Sequence, residues 1–294
     1  MAWEFHHFTN LQKCEVNCEA WRQPPHPFAV EEPGNIPLPS APLVRTIAQI
    51  RFPHLTQFTI NEDAVATGIA TALAEQYPLM EVGQEVSVTV TSEGGARENR
   101  SATRLWRLMS ADRAWQISFS GTFLSIDTTN YVHRSDFARR LAEAWEALNR
   151  QVSVPYIERL GVRYANQLTD PDHLKRLPEL LRPEVLGVSM AQDAEAALVS
   201  ALSEAQYRFL DGGGAFLARW GGLLPAGASI DSARPPLTAT RHGCSTWIRF
   251  TSRHLIPSVA RTSTRMFERW RVGGYQFFRW AVTEEFLLAF GGQQ

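Results

Sequence analysis

Cys14 and Cys18 are separated by three residues, His26 follows, and His6 and His7 precede them. Thiolate and imidazole are the ligands zinc prefers, and structural zinc sites draw a Cys-x2-4-Cys pair together with a second ligand pair. On a helix, residues four apart share a face and could chelate. No second pair stands here as a motif, and Pro25 and Pro27 restrict how His26 could fold back. Cys14, Cys18 and His26 are therefore candidate zinc ligands, but two idle thiols in a surface arm are the preferred reading. Cys244 could be a nucleophile with His242, His254 or His133 and a carboxylate. It alternates with Thr246, Ile248 and Phe250 on one strand face, where a cysteine behaves as a small core residue. Asp127 and the Glu284–Glu285 pair are the carboxylates best placed by type for acid–base work. However, Thr283-Glu284-Glu285 reads more simply as a helix start, with a hydroxyl cap and acids in the first turn. The chain holds no Gly-x-Ser-x-Gly elbow, His-Glu-x-x-His, phosphate-binding loop or Gly-x-Gly-x-x-Gly. A catalytic role falls to a lesser alternative.

The strongest chemical signal is basic. Lysine occurs only at 13 and 175, so arginine supplies nearly all the positive charge. Residues 241–279 carry eight arginines against one acid, Glu268, in a chain whose net charge is −1. Arg261, Arg265 and Arg269 step by four, which lines them along one helix face, with Arg253 and Arg271 nearby. Val259, Met266, Phe267 and Trp270 fall opposite. Guanidinium forks suit carboxylates and phosphates, so this row points to an acidic protein partner, or to nucleic acid with Trp247 or Trp270 as a stacking platform. The near-neutral total argues against a general polyanion binder.

These residues need a scaffold. A chain of 294 residues, 44% hydrophobic and 20% charged, can bury a large core. No apolar run approaches the ~20 residues of a membrane span, and "MAWEFHHF" lacks the features of a secretory signal. A reduced cytoplasmic protein is expected. Residues 1–42 are rich in proline and read as an extended arm. From residue 43 the period changes to two, with Thr46, Ala48 and Ile50 alternating against Arg45, Gln49 and Arg51. Asn61 is positioned to cap a helix carrying Val65, Ile69 and Leu73. Strands follow at "EVSVTV", "ATRLWRLMS", "AWQISFS" and "TFLSIDTT". A helix with Phe137, Leu141, Trp145 and Leu148 on one face, capped by Ser135 or Asp136, leads to a strand at "IERLGVRYAN".

This gives an α+β fold, β-α-β-β-β-β-α-β over 43–168, with largely antiparallel sheet and packed helices. A second, smaller α+β unit spans 169–294. There, "AQDAEAALVSAL" reads as helix, "EAQYRFL" and "AFLARWGGLL" as a hairpin, "CSTWIRF" as a strand, and two helices close the chain. The two units form either linked sheets or one extended sheet.

"PLVRTIAQIRF", "WQISFSGTFLSIDTTNYVHRSDFARRL", "IERLGVRYANQL" and "FFRWAVTEEFLLAFGG" occur in the same order in a sporadically distributed group of bacterial and archaeal proteins without an assigned activity. The chain resembles that family over about 41–168 and 275–292. The family's patchy occurrence is similar to that of mobile or defence-linked genes, so the resemblance implies a partner subunit in such a system. Together these readings predict a non-enzymatic scaffold that docks another protein, with nucleic-acid binding as the alternative and an enzyme or zinc protein behind both.

Overall fold

The computed structural model describes residues 26–28, 36–91, 97–190, 200–210, 214–223, 245–254 and 271–292. Nine strands form one sheet: β1 (Leu43–Arg51), β2 (Leu79–Thr91), β3 (Arg97–Met109), β4 (Trp115–Ser120), β5 (Phe123–Thr128), β6 (Arg159–Leu168), β7 (Ser200–Arg208), β8 (Ala215–Leu223) and β9 (Ser245–His254). Their order is β2-β3-β4-β5-β1-β6-β9-β8-β7. Every neighbouring pair is antiparallel. The chain writes one plan twice. A strand (β1, then β6) is followed by helices and by a meander whose last strand (β5, then β9) returns beside it. The two initiating strands pair at the middle, with Ala48 opposite Val162 and Ile50 opposite Leu160.

Period-two alternation decides which face is covered. Ala48, Ile50, Ile117, Phe119, Leu124, Ile126 and Leu160 are buried on one face. Over them pack α1 (Thr56–Ile60), α2 (Glu62–Leu73) and α3 (Arg134–Gln151), through Phe58, Ile69, Leu141 and Leu148. Trp106 stacks on Phe119 with ring centroids 5.8 Å apart. On the same face, further along, a second core gathers Leu168, Phe216 and Ala218. It is covered by α4 (Pro171–Lys175), α5 (Leu177–Leu180), α6 (Pro183–Leu186), α7 (Arg271–Ala281) and α8 (Glu284–Ala289). Phe277 of α7 is fully buried there against Phe216 at 5.1 Å.

The caps differ from expectation at two helices. Asn61 makes no side-chain cap bond, because the short α1 runs directly into α2 and leaves Asn61 between them. The α3 cap is His133, whose ring accepts from the Ser135 N–H. Asp136 instead pairs along the helix with Arg139 and Arg140. Thr283 caps α8 as expected, accepting from the Phe286 N–H at 3.2 Å. The β2–β3 hairpin runs through much of the polar "TSEGGARENRS" stretch, because ladder pairing from Leu79–Met109 to Thr91–Arg97 outweighs local polarity. Residues 200–202, expected to end a helix, lie in β7. Their alternation with the chain beyond them matches the ladder of β8.

Candidate functional site

All eight described α-helices lie on one side of the sheet, and the other, open side carries no described α-helix, although Leu105, Met109, Ser118, Ser120, Phe123 and Ser125 on it are buried. Among residues whose side chains are described, the strand positions that point to this open side include Arg45, Arg51, Arg107, Arg159, Arg163, Arg208 and Arg219. Against these seven arginines stand three acids: Glu81, Asp127 and Glu204. Ladder register brings like charges face to face. Arg51 stands opposite Arg159, and Arg219 opposite Arg249. Such directly opposed pairs cost stability unless an anion lies between them. Arg219 has Glu204, and Arg159 donates to Gln49 Oε1 at 3.2 Å. The Nε of Arg51 is buried with no acceptor.

The best-ordered polar cluster of this face centres on Asp127, which β5 places opposite Ile47 and Gln116. Arg45 donates to Asp127 Oδ1 through Nε at 3.2 Å and Nη2 at 2.9 Å. Gln116 Nε2 donates to Ser118 Oγ at 2.9 Å and to Asp127 Oδ2 at 3.4 Å. Burial raises the Asp127 carboxyl above its ordinary range, although Arg45 and Arg107 pull the other way. The guanidinium of Arg107 rests over Gly83, where a Cβ would come within 2.9 Å of Nη1, so the glycine makes room for it. The cluster is an ion pair on a broad sheet surface. Asp127 is held by Arg45, while Glu284 and Glu285 sit in the first turn of α8, in the roles expected of a helix start. These carboxylates do not form a common site.

Of the predicted binding arginines, Arg253 lies in β9 in register with Gly161 and Ala215, which places it at an open-side position. Arg271 opens α7. Arg261, Arg265 and Arg269 lie outside the described residues, as do Cys14, Cys18, His242 and Cys244. His26 accepts the Phe28 N–H through Nδ1 at 3.2 Å and sets its ring 6.1 Å from that of Tyr207, so it anchors the arm to the second core. Among the described residues, no three His, Cys, Asp or Glu side chains converge as metal ligands. Also among them, no helix is long and apolar enough to cross a membrane.

The open-side arginines of β1, β3 and β6 escaped the sequence reading because each looks like the ordinary polar phase of a half-buried strand. The signal that could have found them is that this phase repeatedly chooses a cation, at 45, 51, 107, 159 and 163, where Thr or Glu would serve a solvated face equally well. No protein-family model, curated protein or solved structure matches the chain.

Proposed function

We propose that this chain is a non-enzymatic docking protein whose open sheet face receives an acidic protein partner. The observation that carries the reading is the excess of arginine over acid on a face that the described helices leave bare. Half-buried, apolar Ile47 lies among these arginines, and interfaces are enriched in arginine. Phe123 also belongs to this side but is buried, while Trp247 holds an open-side position of β9, in register with Gln167 and Gly221. Nucleic acid, with Trp247 as the stacking residue, is the second reading. The family resemblance suggests a partner encoded within a mobile or defence-type system.

A fluorescent polyglutamate peptide and labelled single- and double-stranded oligonucleotides, each titrated across a salt series, test the reading. The peptide should bind, and Arg51→Glu with Arg107→Glu should weaken it at least tenfold. Oligonucleotide binding that is tighter than peptide binding and falls steeply with salt would replace the acidic protein by nucleic acid. Failure of every probe to bind would remove the open face as a docking surface.

A further inference from the structure

β7 ends the sheet. It pairs with β8 on one side, and no described strand lies on the other. Phe209 donates its N–H to the Gly214 carbonyl at 2.9 Å, which continues the β7–β8 ladder and fixes its phase. Odd-numbered residues of β7 therefore turn their main-chain groups toward β8. Leu202, Glu204, Gln206 and Arg208 turn theirs to the free edge. The side chains at 202, 204, 206, 208 and 210 are all exposed, Leu202 by 58% and Leu210 completely. Free edges are normally protected by like charges, proline or a bulge. β7 has no proline, its ladder with β8 runs without a register shift, and its exposed charges, Glu204 and Arg208, are of opposite sign.

Outward from Gln206 the exposed positions are self-complementary: Glu204 matches Arg208, and Leu202 matches Leu210. We propose that two copies of the chain pair through β7, antiparallel, about a two-fold axis at Gln206. Glu204 then faces the partner's Arg208, and Leu202 faces the partner's Leu210. Because every matched residue has edge-directed main-chain groups, these are hydrogen-bonded positions, and the central three exchange about six main-chain bonds. On the helix side the same register sets small Ala205 beside the partner's Tyr207, and small Ser203 beside the partner's Phe209. Arg208 has no acceptor of its own among the described residues. Glu204 already receives Arg219 and has a second oxygen for the incoming guanidinium. A second copy supplies what this edge lacks. The axis stands perpendicular to the sheet, so both open faces come to lie on one side, and the nine strands of each copy become one continuous surface. The pairing holds whatever ligand that surface takes.

The register makes the test specific. In a background with Cys14, Cys18 and Cys244 changed to serine, Gln206→Cys places two thiols on Cα atoms about 5.5 Å apart, within reach of a disulfide. Arg208→Cys places them about 15 Å apart, beyond it. Mild oxidation should yield covalent dimer from Gln206→Cys and not from Arg208→Cys. Sedimentation should give twice the 33.0 kDa chain mass for the unaltered protein. Arg208→Glu, which opposes two carboxylates on each side of the axis, should weaken association at least tenfold. A monomer at tens of micromolar, equal crosslinking at both positions, or undiminished association of Arg208→Glu would overturn the proposal.

Discussion

Replacing Arg45 by methionine tests whether the polar cluster of the open face is balanced as described. The Arg45 side chain is 28% exposed and that of Asp127 14%, so the pair lies between a surface ion pair, worth ~0–1 kcal/mol, and a fully buried one, whose breaking costs ~3–5 kcal/mol. We expect a loss of about 2 kcal/mol at neutral pH, because Asp127 is left buried and charged with the Gln116 amide and the more distant Arg107 cation as its remaining favourable neighbours. With a urea slope of about 2 kcal/mol per molar, the midpoint should fall by about 1 M. Tryptophan fluorescence can follow this, since Trp106 and Trp115 lie in the core beneath. The pH dependence gives the sharper check. Burial raises the folded carboxyl above its unfolded value, so between those two values the native state holds a proton that the unfolded chain has released. The stability this group contributes is fullest below the unfolded value and declines as pH rises through the folded one. Losing Arg45 removes a cation that lowers the folded value, so that decline must deepen. The deficit of Arg45→Met should be largest at neutral pH and shrink on acidification. Adding Asp127→Asn should recover most of it. A deficit that does not shrink on acidification, or one that Asp127→Asn leaves unchanged, would refute the reasoning.

Arg140 and Arg139 are adjacent on α3 but should respond differently. Arg140 lies 4.4 Å over the Trp115 ring and bonds Asp136, so Arg140→Met should cost about 1 kcal/mol in urea melts, whereas half-exposed Arg139→Ala should cost less than ~0.5 kcal/mol. Thr283 accepts from the Phe286 N–H while donating to the Glu179 carbonyl at 2.6 Å. Thr283→Ala should therefore lose about 1 kcal/mol, with Thr283→Ser restoring most of it. At Gly221 an added Cβ would fall 2.0 Å from the Ala201 carbonyl oxygen, so Gly221→Ala should displace the edge strand and lower the unfolding midpoint by about 1–3 kcal/mol equivalent.

The covered half of the molecule was legible because burial writes a period into the chain. Ala48 and Ile50, or Leu141, Trp145 and Leu148, must be apolar at fixed intervals, and each interval names its element. Strand order was not legible. Nothing local in β6 says that it will pair with β1 on one side and β9 on the other, since that depends on how two meanders meet. Caps were half legible. A hydroxyl before two acids at Thr283 identified itself, whereas a histidine ring accepting an amide at His133 is chemistry the usual cap residues conceal. The open face stayed hidden for a related reason. Its arginines are distant in sequence, and only the ladders bring Arg51 beside Arg159 and Arg219 beside Arg249.

That juxtaposition also bears on why such a face would persist. A solvated sheet surface can be satisfied cheaply by threonine and by alternating charge, which adds favourable cross-strand pairs. Setting guanidinium against guanidinium gives up those pairs, and at Arg51 leaves a buried Nε without an acceptor. Stability of the isolated chain does not explain why Arg51 stands opposite Arg159, because an acid at one of the two positions would give a favourable cross-strand pair. An external anion does explain it, since it would lie between the opposed side chains and satisfy both at once. The helix-covered face accounts for the fold, and the cost accepted on the other face is what supports the proposal that it docks a partner.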